Sequence, residues 1–278
     1  MKKYSFFEVL LLVALFFYTG TILTSCGSDG DDNKTNPENS TSPNNSTDTT
    51  DPVKEDIPES ISQFVGYWDV KSNSNAKTAY PDMKIFFFYD GYCLISRGNT
   101  TYFETKEWNY NEPKMILATS DYQWDISMIG EQTWTGTAQW HNKSPYTATR
   151  ESTLSKIFPI LATGTWICKS DNSKIFTYTA DYTNYNGHTY CVIKGINPEN
   201  IENLEVETSQ FSYDENTDIM TQIYSYTRNH GNPAKYTIEL IHPYSYKNRI
   251  LHVKYELGYE GDYHYKNDPF DEVFELQK

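Results

Sequence analysis

The chain has 278 residues, a formal net charge of −14 and 16% aromatic residues, among them 24 Tyr and 6 Trp. That length allows one large or two small domains. The negative charge argues against nucleic acid or an anionic membrane surface as partner, and the aromatic excess suits pleated, half-buried strands.

Met1-Lys2-Lys3 is a basic head, and Phe6 to Tyr18 is an apolar run interrupted by Glu8. The run is shorter than the roughly 20 apolar residues of a membrane helix. Together with its small-residue junction it reads as a secretory signal over residues 1–25. The junction Leu23-Thr24-Ser25-Cys26 resembles a bacterial lipobox. That resemblance implies cleavage before Cys26, a diacylglycerol thioether on its sulfur and acylation of its new amine, with outer-membrane lipid as the partner. An ordinary signal peptide with a chance cysteine is the alternative. Acyl chains contribute about 0.8 kcal/mol per buried methylene, so several of them anchor a protein stably.

Gly27-Ser28-Asp29-Gly30-Asp31-Asp32 resembles the acidic export signal of surface lipoproteins in Bacteroidota-type bacteria. It implies a lipid-anchored protein on the cell surface; a retained, periplasm-facing lipoprotein is the alternative. Asp29, Asp31 and Asn33 imitate the start of a calcium loop, but Lys34 stands where that loop needs glycine and Ser40 where it needs glutamate. Residues 26–60 are dominated by Asn, Asp, Ser, Thr and Pro. Such a segment buries too little to offset its ordering, so it reads as a lipidated, disordered tether. Asp48-Thr49-Thr50 resembles the O-glycosylation motif of the same bacterial group.

An internal repeat follows. Gly66-Tyr67-Trp68-Asp69-Val70-Lys71-Ser72 matches Gly164-Thr165-Trp166-Ile167-Cys168-Lys169-Ser170 at an offset of 98 residues. Cys93 and Cys191, each after an Asp-Gly or Asn-Gly turn signal, keep the same offset. Trp108-Asn109-Tyr110-Asn111-Glu112 matches Phe211-Ser212-Tyr213-Asp214-Glu215 at an offset of 103, so a few residues are inserted between. Three anchors in one order indicate two homologous modules, at 61–155 and 160–278.

Both modules read as all-β. Tyr122, Trp124, Ile126 and Met128 alternate with polar residues, as do Trp134, Gly136, Ala138 and Trp140, and later Leu251, Val253, Tyr255 and Leu257. Alternation of this kind marks half-buried antiparallel strands. Further strands are expected near 64–70, 83–89, 92–97, 101–110, 115–119 and 146–153, about eight per module, with no amphipathic helix after the signal. Short up-and-down strands favour closure, which removes reactive edges. Two β-sandwiches are the alternative.

Gly66-x-Trp68 and Gly164-x-Trp166, each opening a β module, resemble the G-x-W of the lipocalin and calycin group, and in particular the lipocalin-like domains of Bacteroidota lipoproteins. The resemblance implies two tandem small antiparallel barrels, each with its tryptophan plugging the barrel floor. It also implies an arginine from the last strand over that indole, a place Arg150 is positioned to take over Trp68. The second module has no arginine in its last strand, near 271–277, so its floor must close differently.

No nucleophile elbow, zinc-protease helix, P-loop, dinucleotide fingerprint or C-x-x-C occurs. The six histidines are scattered; His252 and His264 are the pair a hairpin would bring together. Carboxylate pairs Glu104/Glu107 and Asp121/Asp125 read as solvated surface charge. Neither catalytic residues, a metal nor a cofactor is expected. Cys168 and Cys191 are candidates for a disulfide, which the chain-entropy model values at roughly 3 kcal/mol; the alternative is small buried hydrophobes. Trp124, Trp134 and Trp140 fall on one strand face and line either a ligand pocket or a filled core, since small barrels are usually filled by side chains. The expected function is non-enzymatic binding of a small apolar ligand or an envelope partner. A glycan-binding accessory protein for polysaccharide uptake and a structural or adhesive envelope protein are the alternatives.

Overall fold

The alternating segments of the first module form a closed antiparallel barrel. A computed structural model describes residues 57–73, 82–98, 100, 102–139, 143–179, 188–195, 201–227, 233–257 and 270–277. The barrel strands are β1 (Gly66–Ser72), β2 (Met83–Phe87), β3 (Tyr92–Arg97), β4 (Glu104–Asn111), β5 (Ile116–Thr119), β6 (Gln123–Ile129), β7 (Thr133–Ala138) and β8 (Pro145–Glu151). Each pairs with its sequence neighbour, and β8 returns to β1 with Arg150 opposite Trp68. The expected signal peptide, Cys26 and most of the expected tether, residues 1–56, lie outside the described residues. Glu59–Ser62, across the expected boundary between tether and first module, form one helical turn, α1.

The second module is one nine-stranded sheet, curled as a barrel and open on one side. It comprises β9 (Gly164–Cys168), β10 (Ile175–Thr179), β11 (Tyr190–Lys194), β12 (Ile201–Glu205), β13 (Gln210–Asp214), β14 (Ile219–Thr227), β15 (Pro233–Ile241), β16 (Ile250–Leu257) and β17 (Phe270–Leu276). β17 closes on β9, as β8 does on β1, but β12 and β13 are both edges. The repeat explains the seam. The offset between modules grows from 98 to 103 between the second and third anchors, the stretch that holds the turn at 206–208. In the first module one unbroken strand, β4, pairs with both β3 and β5. Its counterpart is cut in two: β12 keeps the pairing with β11, and β13 the pairing with β14. Side chains span the gap instead. The Tyr178 hydroxyl donates to Gln222 Oε1 (2.7 Å), Gln222 Nε2 donates to Ser209 Oγ (3.1 Å), and Ser209 Oγ donates to the Glu205 carbonyl (2.7 Å).

Both floors are built on the G-x-W positions. Trp68 Nε1 donates to the Phe64 carbonyl (2.6 Å) and Trp166 Nε1 to the Ala162 carbonyl (2.9 Å), each four residues upstream. The Arg150 guanidinium lies 4.3 Å from the Trp68 ring centre. It donates to the carbonyls of Val65 (2.6 Å), Gln63 (2.6 Å) and Glu131 (2.8 Å). Gly66 has φ +122°, and a Cβ there would lie 2.8 Å from Arg150 Nη1, so the motif's glycine makes room for the arginine. In the second module Leu276 pairs with Trp166, in the register of Arg150 with Trp68, and a Cβ on Gly164 would lie 2.7 Å from Leu276 Cδ1. A leucine has replaced the arginine at an unchanged place.

The stretch between the modules is a helix, α2 (Leu154–Ala162), contrary to the expectation of none. Leu154, Ile157, Phe158 and Leu161 fall on one face at helical spacing, and Ile157, Phe158, Ile160, Leu161 and Ala162 are buried. Pro159 masks the signal because its missing N–H and ring disfavour a helix interior. Thr163 ends the helix, its N–H and hydroxyl both donating to the Pro159 carbonyl. α2 packs into a core that includes Tyr67, Phe86, Phe88 and Leu94 from the outside of the first barrel. Lys54–Lys278 is accordingly one compact unit.

Candidate functional site

Of the three tryptophans expected to line either a pocket or a filled core, Trp124 and Trp134 belong to a core. Trp68, Trp124 and Trp134 are fully buried, with Trp134 5.9 Å from Trp124, 6.4 Å from Trp68 and 6.5 Å from Phe64 between ring centres. Gly136 leaves no hole beside them: a Cβ there would lie 2.9 Å from the Asp125 carbonyl oxygen and 3.2 Å from Ile126 Cδ1. Its missing side chain is occupied by the close approach of β6. Trp140 lies outside the described residues.

Space opens instead where the two β modules meet. The β15–β16 loop of the second module grips the β2–β3 turn of the first. Tyr244 stacks on Phe86 at 5.8 Å, and Tyr246 stacks on Tyr92 at 4.9 Å and tilts against Phe88 at 5.5 Å. Asp90 Oδ2 accepts from Ser245 Oγ (3.0 Å) and the Lys247 N–H (2.8 Å), while the Tyr89 N–H donates to the Tyr244 carbonyl (3.2 Å). Beside this grip lies a cleft of about 680 Å³. Leu94, Tyr102 and Phe103 line it from the first module, Ile160 from α2, and Tyr246, Arg249 and Leu276 from the second, together with four threonines and Gln277. Tyr102 is 72% exposed and is the one aromatic side chain among the described residues that stands mostly in solvent.

Arg249 is 3% exposed. Its Nη1 donates to the Leu161 carbonyl (2.6 Å), and its Cζ lies 4.8 Å from the Phe88 ring centre and 5.1 Å from that of Tyr246. Burial pulls its pKa down to about 10, against the opposing influence of Tyr246 and Asp90. The group therefore stays charged at neutral pH. Its Nε and Asp90 Oδ1 are both buried without a hydrogen-bond partner, an arrangement that costs free energy. The sequence carried one overlooked sign of this junction. Ile85-Phe86-Phe87-Phe88 breaks the period-two alternation, and an unbroken apolar run marks a strand covered on both faces.

The candidate disulfide does not form, and the alternative of small buried side chains holds. Cys93, Cys168 and Cys191 are free and buried. Cys168 is held opposite Lys174, at the start of β10, by a backbone hydrogen bond, whereas Cys191 lies one step beyond Val192, which faces Thr179 at the other end of β10. At about 3.3 Å per residue the two stand some 20 Å apart along the sheet, and on strands separated by a third, whereas a disulfide needs Cα atoms within about 7 Å. Burial pushes the thiol of Cys93 up to about 12 and that of Cys191 to about 11. Alkylation of the chain from residue 27, unfolded without reductant, should therefore add three groups by mass. Addition of only one would restore the disulfide.

The remaining polar candidates are surface structure. Arg97 and Lys106 bridge Asp121 (3.2 and 3.1 Å) and Glu104 (3.9 and 3.3 Å). His188, Glu205 and Glu207 bring ligand atoms within 4.8 Å of one another, unanticipated in the sequence. They are engaged within the chain: His188 pairs with Glu205, and both oxygens of Glu207 accept from the Thr189 N–H. His264 lies outside the described residues. His252 meets Glu239 (2.7 Å) and Asp271 (2.5 Å) across β15 and β17. Burial lowers its pKa, but the hydrogen bonds to Asp271 and Glu239 outweigh that and raise it above 6.5. A raised folded-state value stabilises fully below the unfolded value and loses that stabilisation as pH climbs through the folded one. His252→Gln should flatten the stability profile in that window and cost about 0.5–1 kcal/mol at its acid side, read from urea midpoints. An unaltered pH slope would assign the dependence elsewhere.

The five rings Tyr226, Tyr224, Tyr236, Tyr255 and Phe270 form a row across β14 to β17. Successive rings stack with centres 4.6–6.3 Å apart at Tyr224–Tyr226, Tyr226–Tyr236, Tyr236–Tyr255 and Tyr255–Phe270. Tyr236 and Tyr255 are buried and Tyr224, Tyr226 and Phe270 half-buried, so no ring of this row stands mostly in solvent.

No protein-family model matches the chain, and no curated protein matches it. Among solved structures, a Bacteroides fragilis protein provisionally assigned to the outer membrane aligns with 77% of this chain and 96% of its own, at 8% identity and a TM-score of 0.26. That similarity is too low to transfer a property. No helix among the described residues is long and apolar enough to cross a membrane.

Proposed function

We propose that this protein is a lipid-anchored, non-enzymatic binding protein of the bacterial envelope, exposed at the cell surface, and that it takes a small amphipathic ligand in the cleft between its two lipocalin-like modules rather than inside a barrel. One observation carries the reading: an exposed aromatic, Tyr102, stands over a cleft whose lining includes the buried, incompletely partnered Arg249. Ligand sites are concave and combine apolar walls with placed polar groups, and this cleft sets Leu94, Phe103, Ile160 and Leu276 beside four threonines, Gln277 and Arg249. The packed tryptophans of the first barrel and the mutually stacked rings of the second argue against a lumenal ligand and against glycan stacking.

The anchor rests on the lipobox resemblance at Leu23–Cys26 and the acidic residues after it. Anilinonaphthalene sulfonate, an apolar dye with an anionic group, tests the site. The chain from residue 27 should bind it saturably, and Tyr102→Ala should weaken that binding at least fivefold with the unfolding midpoint unchanged. Binding indifferent to Tyr102, or saturation by oligosaccharides alone, would overturn the cleft reading. In cells, Cys26→Ala should abolish labelling by radioactive palmitate; a protein still labelled would remove the anchor.

A further inference from the structure

We infer that the cleft between the modules selects an anion, a carboxylate or similar oxyanion carried on a short apolar chain, with Arg249 as the group that recognises it. The inference rests on the cleft being the binding site and adds the chemical class of its ligand.

Three observations lead to the charge. A guanidinium has five donors and no acceptor. In Arg249, Nη1 is used on the Leu161 carbonyl and Nε has no acceptor among the described residues. Among the described residues no carboxylate forms a salt bridge with it: Asp90 lies close enough to favour its charged form, but its Oδ2 is engaged by Ser245 and Lys247, and its Oδ1 makes no hydrogen bond. Guanidinium groups bind carboxylates and phosphates through charge-assisted, planar hydrogen bonds roughly twice as strong as neutral ones. The rings of Phe88 and Tyr246 hold the plane of Arg249 in place, so little ordering remains to be done when a ligand arrives.

The second feature is the apolar companion. Leu94, Phe103, Ile160 and Leu276 share the cleft with Arg249. Leu276 stands where the first module has Arg150, so a second cation that would have made this lining polar is missing. The arrangement suits an anionic head on Arg249 beside a short hydrocarbon tail on these four side chains, with four threonines and Gln277 offering neutral polar contacts around it.

The protein's overall charge of −14 opposes the approach of anions from a distance, but at physiological salt that repulsion is screened beyond about 8 Å. Selection is therefore a contact property and is tested by a charge series of one length. Octanoate, 1-octanol and octyltrimethylammonium are titrated into the chain from residue 27, following the Nε–Hε resonance of Arg249 by NMR. Octanoate should bind at least tenfold tighter than octanol and move that resonance. Octyltrimethylammonium should bind more weakly than either, and Arg249→Met should remove the preference for octanoate. Should that variant fail to fold, the charge series and the wild-type resonance decide alone. Equal binding of all three, weakened by Tyr102→Ala, would keep the cleft as a site and overturn its selectivity for anions. Octanoate binding that leaves the Arg249 resonance unmoved would reduce Arg249 to a junction residue bridged to Asp90 through water. No binding of any of the three would overturn both readings.

Discussion

Replacing Arg150 by leucine should lower the stability of the first barrel by about 3–5 kcal/mol, since three carbonyls each lose a charged donor of roughly 1.5–3 kcal/mol and partly recover it from water. The carbonyls are those of Gln63, Val65 and Glu131, at 2.6, 2.6 and 2.8 Å. The first two lie directly before β1, so the arginine ties the last strand of the barrel to the entry of its first. The loss of the cation from the face of Trp68 adds about 0.5–2 kcal/mol to the same total. The second module makes the comparison informative, because Leu276 holds the equivalent place there without harm. Leucine is therefore not incompatible with a G-x-W floor as such. What makes it costly at position 150 is the carbonyl cluster that has formed around the guanidinium. Guanidinium-induced unfolding followed by tryptophan emission checks the value; a loss below about 1 kcal/mol would mean that water satisfies those carbonyls and that the floor is held by Trp68 alone.

Much of this architecture was legible along the chain. The repeated G-x-W, the alternation around Trp124 and Trp134 and the turn at Asp90-Gly91 are local signals, and each fell within a few residues of the strand or turn it announced. Arg150 over Trp68 followed from resemblance and holds in the geometry. Three features escaped. α2 was hidden by Pro159, although Leu154, Ile157, Phe158 and Leu161 carry a helical period. The added residues between the second and third repeat anchors were visible, but a count of inserted residues does not reveal that they cut one strand into two edges. Whether Cys168 and Cys191 pair stayed open in the sequence because sharing a sheet says nothing of position along it.

The cleft was out of reach for a different reason. Tyr102, Ile160, Arg249 and Leu276 are spread over more than half the chain, and no motif joins them. Only their tertiary neighbourhood makes Arg249 unusual. In sequence it is one arginine in a loop, and loops are where charged residues normally face water. Its burial depends on Phe88 and Tyr246, one from each module. A cleft lined from two β modules is absent from either module alone.

Trp134→Ala should cost about 3–5 kcal/mol, the usual loss when a large aromatic is removed from a rigid core. Trp134 is fully buried among Trp68, Trp124 and Phe64, and side chains fixed in a closed barrel relax little into the space. Trp134→Phe should cost much less than the change in size suggests. The indole N–H is buried with no acceptor, and removing it relieves a desolvation penalty of about 1–3 kcal/mol. The alanine variant also separates a filled barrel from a hollow one. A filled barrel emptied by mutation acquires a dry apolar cavity, and such cavities bind benzene-sized molecules. Benzene should therefore raise the unfolding midpoint of Trp134→Ala and leave that of the unaltered protein unchanged. If instead the unaltered protein is the one stabilised by benzene, and Trp134→Ala loses both that effect and little stability, the first barrel has room of its own and the ligand site moves from the junction into the lumen.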